Sequence, residues 1–149
     1  MAIGPYSVAA AGVIRRGDSA FCIRRNDTRE WEPPGGRIEV EEGIPSGLRR
    51  ELLEETGLTV NIQQLAAVYK DVMKGIVTFV FRCEYVSGAP ELNDEVIAYE
   101  WLTRDRILEY VRPVQAQRFV DAWGRVEYIH FREHDGTSLE STDSVGRSL

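Results

Sequence analysis

The stretch GGRIEVEEGIPSGLRRELLEETGL, residues 35–58, decides how this chain is read. It grows out of Pro33-Pro34-Gly35-Gly36, where proline fixes φ and removes a donor while glycine admits positive φ, so no regular element is expected there. Pro45, two residues after Gly43, suits the first turn of a helix, where its missing N–H is not needed. Residues 48–56 are mostly good helix formers, and Gly57 stands where a C-cap is expected. The pattern predicts a helix from about Pro45 to Thr56. Gly47 costs that helix about 1 kcal/mol relative to alanine.

At about 100° per residue, Glu51, Glu54 and Glu55 fall within an arc of roughly 100°, with Leu48 and Leu52 beside it. Like charges three and four residues apart cost a few tenths of a kcal/mol when exposed, and more when partly buried. Such a face is either a solvated acidic surface or a cluster of hard oxygen ligands suited to Mg²⁺ or Mn²⁺. The flanking turn, Arg50 and the spacing favour the second.

That spacing carries a family resemblance. Gly36, Glu42, Arg50-Glu51, Leu52, Glu54-Glu55, Gly57 and Leu58 fill every fixed position of G-x5-E-x7-R-E-U-x-E-E-x-G-U, with U aliphatic. The stretch resembles the Nudix box. The resemblance implies an α/β fold, the Nudix α/β/α sandwich with a mixed central sheet. It also implies metal-dependent hydrolysis of a phosphoanhydride in a nucleoside diphosphate linked to another group. By the same resemblance Glu51, Glu54 and Glu55 are metal ligands, with the Gly35 carbonyl as a further oxygen. Arg50 orients the carboxylates, and Glu42 holds the loop against the helix without touching the metal. Gly36 and Gly57, with Glu42, are structural. Glu41 departs from the glycine many relatives carry before the first box glutamate, and Gly47 from a small or alanine residue. Neither is a catalytic position.

One ligand of such sites often comes from a later loop. Residues 91–95 form the most acidic loop outside the box, and Glu95, last in it and next to a strand, is the expected catalytic and metal-binding member. Glu100 is the alternative. Ile23-Arg24-Arg25 followed by Trp31-Glu32-Pro33-Pro34-Gly35-Gly36 is similar to the MutT-like branch, which hydrolyses nucleoside triphosphates. That similarity implies a phosphate contact from Arg24 or Arg25; a charged strand end in solvent is the other reading. Tyr6, Trp31 and Tyr69 are candidates to stack on a base, and each is equally a candidate for the core. ADP-ribose, nucleotide sugars and dinucleoside polyphosphates remain alternative substrates. A nucleotide-sensing module without turnover is the non-enzymatic alternative, disfavoured because every box acid is retained.

The remainder of the chain bounds these readings. The 149 residues, 43% hydrophobic and 28% charged, suit one domain with a real core. Residues 1–137 are expected to form it, and residues 138–149 a polar, disordered tail. No apolar run is long enough to span a membrane, and no basic n-region precedes the first apolar segment, so a cytoplasmic protein is expected. A net charge of −6 argues against binding long nucleic acid, though not against a nucleotide. The resemblance allows a homodimer.

Cys22 and Cys83 lie in strand-like runs and read as buried thiols; His130 and His134 read as ordinary surface or edge residues. Residues 6–14 and 20–25 predict a hairpin, 58–62 and 65–71 two short strands, and 75–86 a long one. Residues 96–102 predict another strand. Thr103 is placed to cap a helix to about Val111, and Pro113 to start one ending near Trp123. Residues 126–132 predict a last strand.

Overall fold

The computed structural model describes residues 3–146. Among them lie nine strands and three helices: β1 (Ser7–Arg16), β2 (Ser19–Arg25), β3 (Trp31–Glu32), β4 (Gly35–Arg37), α1 (Ile44–Thr56), β5 (Thr59–Asp71), β6 (Ile76–Ser87), β7 (Val96–Thr103), α2 (Arg104–Tyr110), α3 (Pro113–Asp121), β8 (Tyr128–His134) and β9 (Leu139–Gly146). All strands join one sheet in the order β3-β2-β1-β6-β5-β8-β9, with β4 also paired to β1 and β7 to β2. The β1–β6 and β5–β8 pairs are parallel and the others antiparallel, so the sheet is mixed.

The sheet forks along β1. Arg15 and Arg16 pair with β2, but Ala9, Ala10 and Ala11 pair with β4, while β6 runs along the opposite edge throughout. Beyond the fork β2 turns to β3 and β7. That opening positions the site.

Both faces of the sheet are covered. Leu48 and Leu52 of α1 are fully buried among Ala10, Ile14, Phe21, Ile23 and Cys83. On the other face Ile107 of α2 and Val114 and Phe119 of α3 pack on Val13, Ala66, Tyr69 and Val80. Each fully buried aliphatic side chain contributes roughly 1.5–3 kcal/mol. Both cysteines are buried and free. Burial falls on both faces of β6, with Thr78 and Val80 on one and Phe81 and Cys83 on the other.

Helix α1 starts at Ile44 with Pro45 in its first turn and ends at Gly57, whose φ of 76° is left-handed and whose N–H donates to the Leu53 carbonyl at 2.9 Å. A Cβ at Gly47 would lie 2.8 Å from both Glu42 Oε1 and Ile38 Cδ1, so packing accounts for the residue that propensity disfavours. Thr103 Oγ1 accepts from the Arg106 N–H and caps α2, while α3 ends at Asp121, short of Trp123.

Three elements differ from the sequence reading. The two short strands at 58–62 and 65–71 are one strand, β5, whose register shifts between Ile62 and Gln64 and between Leu65 and Ala67. Gly35 to Arg37, expected to be irregular, forms β4 because glycine lets two backbones approach: a Cβ at Gly35 would sit 2.0 Å from the Ala10 carbonyl oxygen. Residues 139–146 of the expected disordered tail form β9, an edge strand on β8, since backbone hydrogen bonds need no apolar side chain. Residues 147–149 of that tail lie outside the described residues.

Candidate active site

A cleft of about 780 Å³ opens where the sheet forks, and it brings together residues from α1, the β2–β3 loop, β4, the loop before β7, α3 and β8. Gly35, Gly36, Glu51, Glu55, Glu95 and Arg25 line it. Its volume is in the range of pockets for small ligands.

The box fixes its own side chains before any ligand is considered. Arg50 Nε donates to Glu42 Oε2 at 2.9 Å, and Arg50 Nη2 donates to Glu42 Oε1, a two-pronged pair. The Arg50 Nη1 donates to Glu51 Oε1 and to Glu54 Oε2, both at 3.1 Å. Glu42 Oε1 also accepts from the Glu39 N–H at 2.9 Å, so it pins the loop preceding α1 to the helix. The Arg50 guanidinium holds the Glu42 carboxyl down at about 2, with the Glu39 N–H adding to the effect.

Glu51 and Glu55 are in a different situation. Glu51 rests against Gly36, where an added Cβ would lie 2.3 Å from its Oε2, so only glycine admits the carboxylate there. Burial raises the Glu51 pKa, and the charges of Glu54 and Glu95 raise it further against the pull of Arg50. Burial pushes Glu55 up to about 7; Glu32 and Glu51 add to this, and the Gly35 N–H, donating to Glu55 Oε1 at 2.9 Å, opposes it. Among the described residues no three Asp, Glu, His or Cys side chains are gathered closely enough to hold a metal ion by themselves. Glu54 is largely exposed, reaching along the helix to Arg50 rather than into the cleft.

Glu95 is carried to the cleft by Asn93. The Asn93 side-chain amide donates to the Glu55 carbonyl at 2.8 Å, and its Oδ1 accepts from the N–H groups of Glu95 and Val96, both at 2.9 Å. The Glu95 carbonyl accepts from the Asn26 N–H at 2.8 Å, joining this loop to the one after β2. Glu100 lies in β7 opposite Cys22 and does not line the cleft.

The candidate substrate contacts divide. Arg25 reaches the cleft but is engaged by Asp27 at 2.7 Å and Glu32 at 3.2 Å. The Arg24 Nε donates to the Arg29 carbonyl at 2.8 Å, away from the cleft. Trp31 packs against the α3-side core, and Tyr69 is fully buried, its hydroxyl donating to Asp121 at 2.6 Å. Tyr6 lines a separate depression under Lys70.

Several cleft residues escaped the sequence reading. Glu32, whose carboxyl burial raises, stands between Arg25 and Arg118. Asp71, Thr78 and His134 are buried polar side chains on the cleft wall, so His134 is not the surface residue expected. In sequence each sits in a strand run, and only the packing of β5, β6 and β8 turns them to one place.

Comparison with known proteins gives a consistent placement. The NUDIX domain family model matches residues 5–123. A "MutT-like protein" of Streptomyces ambofaciens is 42% identical over 135 residues, covering 90% of this chain and 87% of that one. An "oxidized purine nucleoside triphosphate hydrolase" of Danio rerio is 29% identical over 129 residues, 78% of this chain and 79% of its own. The solved structure of an ADP-ribose pyrophosphatase from Streptococcus suis superposes with a TM-score of 0.69 at 21% identity, covering 87% of this chain and all of that one. With Gly35, Gly36, Glu51 and Glu55 of the box on one cleft and the family model matching residues 5–123, the chain belongs to the Nudix hydrolase family.

Proposed function

We propose that this enzyme hydrolyses a phosphoanhydride of a nucleoside diphosphate linked to a further group, with nucleoside triphosphates the leading substrates and Mg²⁺ or Mn²⁺ as cofactor. The observation that carries the reading is the pairing of Glu51 and Glu55 on one cleft wall, where burial raises the pKa of both. Half-buried carboxylates kept close without enough positive charge fit a divalent cation, and all the donors are hard oxygens. Glu51 and Glu55 would hold it, with the Gly35 carbonyl and Glu95, and Glu54 would join them by turning from Arg50. When bound, the cation supplies Lewis acidity that neutralises charge on the phosphate oxygens.

The chain's own groups account for the rest. Arg50 sets the rotamers of Glu51 and Glu54 through its two hydrogen bonds. The Gly35 N–H fixes the orientation of the Glu55 carboxylate on the cleft wall. Arg25, at the end of β2, offers positive charge to the phosphates. The relatives named for MutT and for oxidized purine nucleoside triphosphates support the triphosphate reading, against the pyrophosphatase neighbour named for ADP-ribose.

The test is a substrate panel with Mg²⁺ or Mn²⁺, covering triphosphates, nucleotide sugars, ADP-ribose, NADH and dinucleoside polyphosphates, with products identified. Triphosphates should show the highest kcat/KM, and chelator should abolish turnover. Full turnover in excess chelator would end the reading.

A further inference from the structure

Among the described residues, four buried side-chain nitrogen or oxygen atoms have no hydrogen-bond partner, and three of them belong to residues lining this cleft: Gln115 Oε1, Arg118 Nε and His134 Nε2. Unpaired buried polar atoms are costly, about 1–3 kcal/mol each, and native folds keep few of them. Three in one wall indicate groups held ready for a ligand.

Their chemistry can be assigned. His134 is 4% exposed, and its Nδ1 accepts from the Gly136 N–H at 3.0 Å. The neutral ring therefore carries its proton on Nε2, which is a donor. Burial and the Arg118 charge lower the His134 pKa, which favours the neutral ring. The Arg118 guanidinium lies over the Tyr69 ring, 4.9 Å from its centroid, and the His134 ring is 6.0 Å from the same ring, so Tyr69 sets the two donors side by side. Gln115 stands one turn before Arg118 on α3 and adds an acceptor.

These groups do not suit a phosphate, since the Glu32 and Asp71 carboxylates lie in Arg118's field. They suit a neutral heterocycle edge that presents two acceptors and one donor. We propose that Gln115, Arg118 and His134 form the subsite that reads the nucleobase. The base then lies on the α3 side of the fork and the phosphates on the α1 side, against Glu51 and Glu55. The assignment rests on the nucleotide-hydrolase reading for the identity of the ligand, and adds which residues choose among nucleotides.

A site built to hydrogen-bond one edge rejects an edge that leaves its groups unpaired. The experiment is calorimetric titration of the protein with the non-hydrolysable α,β-methylene triphosphates of guanosine, adenosine, cytidine and uridine. Wild type should separate the four by ~10-fold or more in Kd. Gln115→Leu and His134→Ala should each compress that spread to within about threefold, chiefly by weakening the preferred analogue. Gln115 is only half buried, so its variant keeps the test alive if His134→Ala unfolds. Equal weakening of all four analogues would assign these residues to sugar or phosphate and overturn the proposal, as would an unchanged spread. Because binding is read without turnover, a failure of the hydrolase reading would show separately in the substrate panel.

Discussion

Glu42 and Glu55 flank the same helix, one just before its first turn and the other in its last, yet their surroundings drive them apart. Glu42 meets the two-pronged guanidinium of Arg50 and is held down at about 2. Glu55 meets one backbone N–H, two neighbouring carboxylates and a buried setting, and rises to about 7. The contrast separates two uses of one side chain. A carboxylate paired with its cation is a tie that shapes the loop, whereas one buried among like charges is poised for a cation or a proton from outside.

The largest effect should come from the poised side. Glu55→Gln and Glu51→Gln keep size and helix propensity while removing charge, and each should lower kcat by at least ~10²-fold in steady-state assays with Mg²⁺. Without metal, stability should hold or rise as repulsion is relieved. A near wild-type kcat for Glu55→Gln would move that residue to the class of Glu42. Arg50→Lys tests the tie. Lysine keeps the charge but cannot bridge Glu42, Glu51 and Glu54 at once, so kcat should fall by ~10-fold and melting should occur at lower temperature. A silent Arg50→Lys would show that charge alone suffices.

Glu95→Gln should reduce kcat by ~10-fold or more with a smaller change in KM, while Glu100→Gln should do little. The reverse result would place the out-of-box ligand on β7. The smallest expected effect is on stability against pH, measured without metal by denaturant titration. The folded pKa of Glu55, about 7, lies above its ordinary 4.5, so between those values the native state holds a proton that the unfolded chain has lost. Its stabilising contribution is therefore fully present below pH 4.5 and is lost as pH rises through about 7. Glu55→Gln should flatten that slope, and an unaltered slope would mean that another group dominates.

How far the sequence revealed this arrangement depends on the range of the forces involved. The helix of the box and its glycine cap are local, so periodicity and residue type exposed them, whereas the setting of Arg50 among Glu42, Glu51 and Glu54 was implied by the family resemblance. The place of Glu95 on the cleft agrees with its position at the end of an acidic loop, although Asn93, which fixes that loop, carries no signal of its own. Trp31, Tyr6 and Tyr69 show the limit: an aromatic residue has the same appearance on a cleft and in a core, and only strand packing separates the two. Strand β9 was missed because its ladder is made by backbone groups under polar side chains. His134 was missed because a neighbouring parallel strand buries it.

Asn93 has a consequence for motion. One amide side chain links the main chain of α1 at Glu55 with the segment holding Glu95, while Asn26 bonds the carbonyls of Asp94 and Glu95. Segments clasped in this way open as a unit rather than one at a time. Amide hydrogen exchange at Asn26, Glu95 and Val96 should therefore proceed at a shared rate, and Asn93→Ala should accelerate all three together while leaving the protection of β5 and β6 intact.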